Sequence, residues 1–578
     1  QERINSELAL LVPKGFSKYF LIVWESIKWC FDNDILTGPG RGSVGGSLVA
    51  WLIGITEVDP IKYGLIFSRF VSPERNDLPD IDIDFDANKR QLVIDHFRDL
   101  YGKNNVIQIS TFLRMKGRSS LKDVSRTFNV PLNEVNELTK QFDDKEDISL
   151  ETFTETDNPV ISKFYKNHKD VVHHSLDLQG CIRGYGKHAA GICISSVNLT
   201  SSAKCNLTKR NGIITANWDK DDCEYMGLMK LDILGLSALS RLDECLRMIK
   251  VNHNKDIDLK AISFDDKKVF KQLSRGETSG VFQLGTYGIS KLCKNLKIDE
   301  FKDIYNATTL YRPGTLRSGM VDKFVARKHG EPWKAIHKNV EKMTKDTYGI
   351  IIYQEQVMMM ARELAGFDWG KCDKMRKVIA KSKGADEFNK FRDDFVNGCI
   401  KNKTLDKNNA LILFDDIVSF SAYGFNKSHA VEYSMISYWD AWLKCYYPGE
   451  FYASCLSYLG FEKKKEIIKT AIDYGLKVYL PKIGVSDSMN WKSKEGKLIM
   501  PFIEIHGIGE SAAKQICKNN SKKRSGFFKT TSTFDIPGKS KKILSDIKAY
   551  DPDYSHKYND LLKINDYFKY NLYNILGF

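Results

Sequence analysis

The sequence predicts an α+β protein of several domains, and three observations carry that expectation. Segments of strand character, Val106 to Phe112 and Gly191 to Ser195, lie among longer helical patterns. From about Arg241 to Leu459 the reading is mostly helical, as in Trp439 to Tyr447. The length of 578 residues corresponds to about four domains, and 42% apolar residues allow a large packed core without disulfides or metal. Boundaries are expected near 112, 188, 240 and 498, and roughly the last 60 residues turn Lys/Asn/Tyr-rich. No repeat of about 20 to 50 residues is visible, and the 14 prolines are too sparse for long rigid linkers.

Charge and cysteine content narrow the function classes. Lys and Arg exceed Asp and Glu by 87 − 73 = 14, which favours a polyanionic partner, nucleic acid first, over mere solubility charge. No apolar run approaches the roughly 20 residues that a membrane-spanning helix needs; the best stretch is Ser47 to Ile55. Twelve scattered cysteines without a C-x-x-C pair or a His/Cys cluster predict reduced thiols in a cytoplasm-like compartment and no structural zinc. The opening QERINSELALLVPKGF has neither leader composition nor an initiator Met, so a fragment or processed product is expected.

The most informative stretch is Pro79-Asp80-Ile81-Asp82-Ile83-Asp84-Phe85-Asp86. Residues two apart in a strand share a face, so Ile81, Ile83 and Phe85 are expected inside and Asp80, Asp82, Asp84 and Asp86 together on the other side. Carboxylates crowded on one ridge repel each other, and divalent cations relieve them. The alternative is an amphipathic strand with a solvated acidic face.

Upstream, Gly38-Pro39-Gly40-Arg41-Gly42-Ser43-Val44-Gly45-Gly46-Ser47 leads into an apolar helix at Leu48 to Ile53. Glycines permit close backbone approach, and amides at a helix start bind anionic oxygens. A phosphate cradle with Arg41 and Ser43 as extra donors is expected; a bare glycine turn is the alternative. Gly40-x-Gly42-x-x-Gly45 also matches the dinucleotide fingerprint, but no βαβ unit with a ribose-binding acid follows.

Gly38 to Ser47, Phe67-Ser68-Arg69-Phe70-Val71-Ser72-Pro73-Glu74-Arg75 and Pro79 to Phe85, in this order, resemble the palm of the bacterial replicative DNA polymerases of family C, the alpha subunits of DNA polymerase III. His188-Ala189-Ala190-Gly191, Lys230-Leu231-Asp232-Ile233-Leu234-Gly235-Leu236, Gly280-Val281-Phe282-Gln283-Leu284 and Tyr311-Arg312-Pro313-Gly314 are similar to successive family motifs. So are Ser318 to Val321, Tyr348 to Gln356 and Tyr423 to His429. The resemblance runs from about Gly15 to Ile516.

It implies a nucleotidyltransferase-type palm (1–112 and 188–240), a helical thumb (113–187), large, mostly helical fingers (241–498), a helix-hairpin-helix element (499–535) and a short tail (536–578). Its catalytic and metal-binding carboxylates match Asp82, Asp84 and Asp232, with Asp80 and Asp86 in supporting roles. Three such acids can hold two magnesium ions about 3.5 to 4 Å apart. One ion would lower the pKa of the primer 3′-hydroxyl, and the other would bridge the triphosphate. Charge on that triphosphate would be met by Arg41, Gly42 and Ser43, by Arg75, by Lys230, by Arg376, Lys377 and Lys381 on one helical face, and by His429. For each cation a solvated surface charge is the alternative.

Arg114, Arg118, Lys122 and Arg126 recur every fourth residue and predict a basic stripe along one helix, whose natural partner is a duplex backbone. This segment falls where the family has its thumb; a solvated face is the alternative. Phe502 to Ser511, with Gly507 and Gly509, resembles the hairpin that presents amides to DNA phosphate, against a plain turn.

The resemblance also has gaps. Nothing corresponds to the family's N-terminal polymerase-and-histidinol-phosphatase domain, the region after the hairpin is short for a single-strand-binding barrel, and Leu572 to Phe578 is a poor clamp-binding peptide. A phage-encoded or split version in the bacterial cytoplasm is expected. The first functional expectation is a DNA-directed DNA polymerase core that extends a primer with dNTPs. The second is an incomplete segment that grips primer-template DNA but needs another polypeptide. A nicotinamide-dependent enzyme built on Gly40 to Gly45 is the third, and it does not account for the acidic strand. Further candidate partners are a sliding clamp, a proofreading exonuclease subunit and a complementing polymerase fragment.

Overall fold

The computed structural model describes residues 1–547 and 549, apart from 75–77, 143–146, 202–204, 211, 381–384, 422–423 and 522–537. It is a mixed α+β fold of two units, one formed by Gln1–Gln91 with the chain from Gly235 onward, the other by Leu92–Leu234. Among the described residues no helix is long and apolar enough to cross a membrane. The twelve cysteines are all free.

The first unit is mainly helical and is organised around the helix Lys427–Tyr446. That helix is apolar on most sides, so it is buried on most sides: Ala430, Val431, Met435, Ile436, Tyr438, Trp439, Ala441 and Leu443 all lie in the main core. Helix Phe301–Leu310 packs on it, helix Ser237–His253 packs on Pro448–Tyr458, and a second core gathers around Met358, Met360, Phe388, Phe395 and Phe414. Burying polar groups requires that each be paired, and the helix carries two polar rows at four-residue spacing. Ser428, Glu432, Asp440 and Lys444 form one; His429, Tyr433 and Ser437 form the other.

These rows pin loops. Asp440 pairs with the buried Arg241 and accepts the amide of Phe282 at 2.8 Å, while Arg241 reaches the Gly280 carbonyl at 2.7 Å. Lys444 donates to the carbonyls of Glu277 and Ser279, both at 2.9 Å. Ser437 caps the Phe282 carbonyl at 2.9 Å. The chain from Glu277 to Phe282 is therefore tied to the helix by three of its side chains, Ser437, Asp440 and Lys444. A small sheet, with Lys477–Tyr479 parallel to Lys497–Ile499 and Lys492–Lys494 antiparallel to it, interrupts the helical pattern before residue 498.

The second unit carries a mixed sheet. Strand Val106–Arg114 lies at its middle, antiparallel to Ile182–Ile194 and parallel to Ile213–Ala216; Met229–Leu236 pairs with Ile182–Ile194 and Leu207–Arg210 with Ile213–Ala216. Among the described residues, five helices from Gly117 to Leu178 connect the two longest strands and bury their own core of Leu121, Val124, Leu138, Phe164 and Val172. The strand patterns at 106–112 and 191–195 are both present, extended to Arg114 and back to Ile182.

Candidate active site

The acidic segment folds differently from an alternating ridge. Only Ile83–Asp86 is strand, and all four of its residues are buried. Asp80 is exposed, Asp82 is half-buried, and Asp84 and Asp86 are each 1% exposed. The two-sided burial has a visible cause, since both faces of this short strand meet protein. Asp86 accepts the Ser240 hydroxyl and the Asn88 amide (2.9 Å), so it closes a turn. Asp84 accepts Arg41 Nη1 on Oδ1 at 2.9 Å and the Tyr433 hydroxyl on Oδ2 at 3.1 Å. Burial raises its pKa against the pull of Arg41 and Tyr433. For Arg41, burial is outweighed by Asp84, Tyr433 and Asp82, and the guanidinium is held more firmly charged.

The glycine loop explains its composition by close approach. A Cβ on Gly40 would sit 2.9 Å from Glu432 Oε1, one on Gly45 2.7 Å from the same atom, and one on Gly46 2.8 Å from the Ile66 carbonyl oxygen. The helix that follows, Leu48–Leu52, departs from the anion cradle expected at its start. Its first amides, Leu48 at 3.0 Å and Val49 at 3.1 Å, donate to the buried carboxylate of Glu7, as does the Ser47 hydroxyl at 2.9 Å. The chain's own anion fills that position. Two further loop amides turn inward, Gly42 to His429 Nδ1 at 3.4 Å and Gly45 to Glu432 Oε1 at 3.2 Å, and Asn426 fixes the Gly42 carbonyl at 2.7 Å.

His429 is not a cation here, which corrects its expected role. Burial and the charges of Arg41, Arg312 and Arg69 push its pKa down to about 4. With Nδ1 accepting from Gly42, the ring proton is on Nε2, leaving a neutral donor. Three guanidiniums act on this one imidazole, and of them Arg41 is paired with Asp84 at 2.9 Å and Arg69 lies 3.7 Å from Glu355. Arg312 stacks 3.4 Å above the Phe425 ring, and Phe425 lies 5.6 Å from His429. Glu432 is raised well above the usual carboxylate range by burial, despite Gly45 and Ser428, and the neutral acid is favoured.

The fingers segment is helical over Trp369–Ala380. Arg376 Nε donates to Asp373 at 2.8 Å and Lys377 pairs with its other oxygen at 2.9 Å, so the three do share a face. Arg376 is half-buried and Lys377 exposed. Arg69, 3.7 Å from Glu355, is lowered by burial and then, among charges, feels Arg376. Lys381 and Arg75 lie outside the described residues, as do 550–578 and with them most of the tail.

In the second unit, Asp232 faces Gly191 in the sheet register. Lys230, two residues earlier and on the same face, pairs with Asp232 Oδ2 at 2.9 Å and lies 3.7 Å from Glu224. Asp232 Oδ1 is buried and accepts no hydrogen bond from the described residues. A buried carboxylate oxygen without a partner is costly, and a hard divalent cation satisfies it; the donor set fits such an ion. His188 takes the amides of Gly191 (2.7 Å) and Ala190 (3.3 Å) on Nδ1.

The basic stripe is broken. Arg114 ends a strand and donates to the Gly180 carbonyl at 2.9 Å, so it is not on the helix. Helix Gly117–Thr127 carries Arg118, half-buried, with Lys122 and Arg126 exposed. Asp123 pairs with Arg126 and with Arg183, both at 3.0 Å. The four-residue spacing crosses the β-to-α junction at Met115, which periodicity alone does not reveal. At the hairpin, Gly507 adopts φ +81° and Gly509 faces open space before helix Glu510–Ser521. A 3-10 turn, Phe502–Glu504, precedes them.

Sequence reasoning missed Tyr433, Glu432 and Glu7 and left Arg69 and Arg312 as motif letters. Tyr433 was within reach, because it follows His429 by one helical turn. Glu7 left no signal of its tie to the glycine loop, since the amides it accepts lie 41 and 42 residues away.

Residues 1–235 match the family described as the bacterial DNA polymerase III alpha NTPase domain, and residues 238–403 match the bacterial DNA polymerase III alpha subunit finger domain. The chain is 39% identical to the DNA polymerase III subunit alpha of Aquifex aeolicus over 569 residues, 94% of this chain and 49% of that protein. It is 38% identical over 539 residues to that of Buchnera aphidicola, 90% of this chain and 46% of that protein. For Escherichia coli K12 the figures are 37% over 552 residues, 93% and 47%. The chain thus spans about half the length of these relatives, and two adjoining domain families with matching relatives along almost all of it show that it belongs to the family of bacterial DNA polymerase III alpha subunits.

Proposed function

We propose that this chain is a DNA-directed DNA polymerase core that extends a primer 3′ end with dNTPs in DNA replication. One observation carries the reading. In each unit a candidate metal-binding carboxylate is paired at 2.9 Å with a candidate phosphate-binding cation, Arg41 with Asp84 and Lys230 with Asp232. Each partner then has somewhere to go, the carboxylate to a divalent cation and the cation to a nucleotide phosphate.

In this reading Asp82, Asp84 and Asp232 hold two Mg2+ ions. Bound there, the ions would lower the pKa of the primer hydroxyl and neutralise the leaving pyrophosphate. The chain's own side chains meet the remaining charge: Arg41, Lys230, Arg376 and Lys377, joined by Arg69 and Arg312, with Ser43, Arg75 and Lys381 as further candidates. Neutral His429 offers its Nε2 proton as a hydrogen-bond donor beside them. Lys122 and Arg126, with Arg114, Arg118 and the Gly507–Gly509 turn, grip the DNA backbone. The corresponding parts are a nucleotidyltransferase-type palm at 1–112 and 188–240, a thumb at 113–187, fingers at 241–498 and a helix-hairpin-helix element at 499–535. Primer-template DNA, a clamp and a separate proofreading subunit are the partners, and the bacterial cytoplasm is the compartment.

Primer extension by the purified chain, with and without magnesium, tests the reading. Asp82→Asn, Asp84→Asn and Asp232→Asn should each abolish extension while duplex binding stays nearly intact, because they remove metal charge and not phosphate contacts. Near-normal extension by Asp82→Asn would overturn the carboxylate assignment.

A further inference from the structure

Asp84 and Asp232 differ in one respect that their shared role does not explain. Asp232 keeps Oδ1 without a hydrogen bond from any described residue. Asp84 has both oxygens engaged, Oδ1 by Arg41 and Oδ2 by Tyr433, and is 1% exposed. Tyr433 is itself held firmly. Its ring centroid lies 4.2 Å from that of His429 and 5.3 Å from that of Phe282, and its oxygen also contacts the Arg41 guanidinium. Arg41, Asp84 and Tyr433 form a closed triangle in which each carboxylate oxygen accepts one hydrogen bond.

We propose that Tyr433 is a positioning residue which, with Arg41, holds Asp84 closed to cations until an anion draws Arg41 away. This rests on the reading of Asp84 as a metal ligand. A phosphate group offers Arg41 two charged acceptors in the fork geometry that suits a guanidinium. A carboxylate that is losing that partner then needs another cation, and a divalent ion supplies it. Nucleotide phosphate and metal become mutually dependent, since coupling between two binding events is reciprocal. The Tyr433 hydroxyl sets the strength of the coupling, because it stabilises the closed triangle and must release Oδ2 when the metal enters. A polymerase core so arranged does not assemble its metal site until phosphate is present.

The test is a Mn2+ titration of the full chain without nucleotide or DNA, following free Mn2+ by electron paramagnetic resonance. Tyr433→Phe removes the hydroxyl and keeps the ring stack; it should lower the Mn2+ Kd by roughly ten-fold or more, as the loss of one hydrogen bond to a charged group implies. The gain should vanish in Tyr433→Phe with Asp84→Asn. Arg41→Lys keeps the charge but not the fork, and it should shift the Kd in the same direction, which protects the test if the Phe variant folds poorly. An unchanged or raised Kd in Tyr433→Phe, with Asp84→Asn still weakening Mn2+ binding, would overturn the closed state and make Tyr433 a support for the ligand. If the gain persists in Tyr433→Phe with Asp84→Asn, the metal-ligand reading of Asp84 itself fails, and the closed state with it.

Discussion

Glu7 and Leu48 are joined across 41 residues by a hydrogen bond of 3.0 Å from the Leu48 amide to the Glu7 carboxylate. The bond belongs to a set in which the same carboxylate takes the Val49 amide, the Ser47 hydroxyl and Arg3. It anchors the glycine loop from behind, at the helix start that would otherwise attract a phosphate.

Glu7→Ala should therefore destabilise the first unit by about 2 to 4 kcal/mol, since it strands two buried amides and a hydroxyl. Denaturant melts should register this as an earlier transition. Extension should fall as well, because Arg41 loses the loop that aims it. Glu7→Gln keeps an acceptor and should cost less than half as much.

A second expectation separates nucleotide handling from DNA handling. Arg376 is half-buried beside Asp373 on the fingers helix, whereas Arg114 is exposed at a strand end. Arg376→Ala should raise the nucleotide KM by roughly ten-fold or more, as a charge-assisted contact implies, and leave primer-template affinity largely unchanged. Arg114→Ala should do the reverse. Single-turnover extension at saturating DNA, alongside equilibrium DNA binding, reads both. Equal losses of DNA affinity in the two variants would make the fingers cluster a backbone patch.

Salt dependence distinguishes the two exposed cations of the helix Gly117–Thr127. Each phosphate contact contributes about one unit to the slope of log K against log salt. Lys122→Ala should lower the slope by about one. Arg126 is already paired with Asp123 at 3.0 Å, so Arg126→Ala should lower it by less. Identical slopes for both variants and the parent chain would return this helix to a solvated surface.

Acid should destabilise the first unit through His429. Its pKa falls from 6.5 to about 4 on folding, so the unfolded chain binds more protons between these values and stability is lost as pH drops from about 6.5 towards 4. The loss at the acid end is on the order of 3 kcal/mol. His429→Asn, whose amide oxygen replaces Nδ1 as acceptor for Gly42, should flatten that portion of the pH profile. Stability measured at pH 5 and pH 7 for both proteins checks it, and a parallel drop in the two would assign the acid sensitivity elsewhere.

The sequence by itself determined the features that depend on local periodicity and residue type. The strands near 106 and 191, the helix after Ser47, the long helical stretch beyond Arg241 and the shared face of Asp373, Arg376 and Lys377 follow from spacing that a helix or strand translates directly into a face. Asp82 and Asp84 drew notice because acids at unusual density in one segment need a reason, whereas Asp232 entered only through the family resemblance. Tertiary structure alone decided which of those groups are charged, covered or engaged. Asp84 and Asp86 are alike in sequence, yet one meets Arg41 and Tyr433 and the other closes a turn with Ser240 and Asn88. His429 reads as a cation until three arginines, 388, 360 and 117 positions away in the chain, gather around it. The basic stripe reads as one helix until the strand ending at Arg114 breaks it. Electrostatic energy depends on distance through space and on exclusion of water, and neither is written in the spacing along a chain.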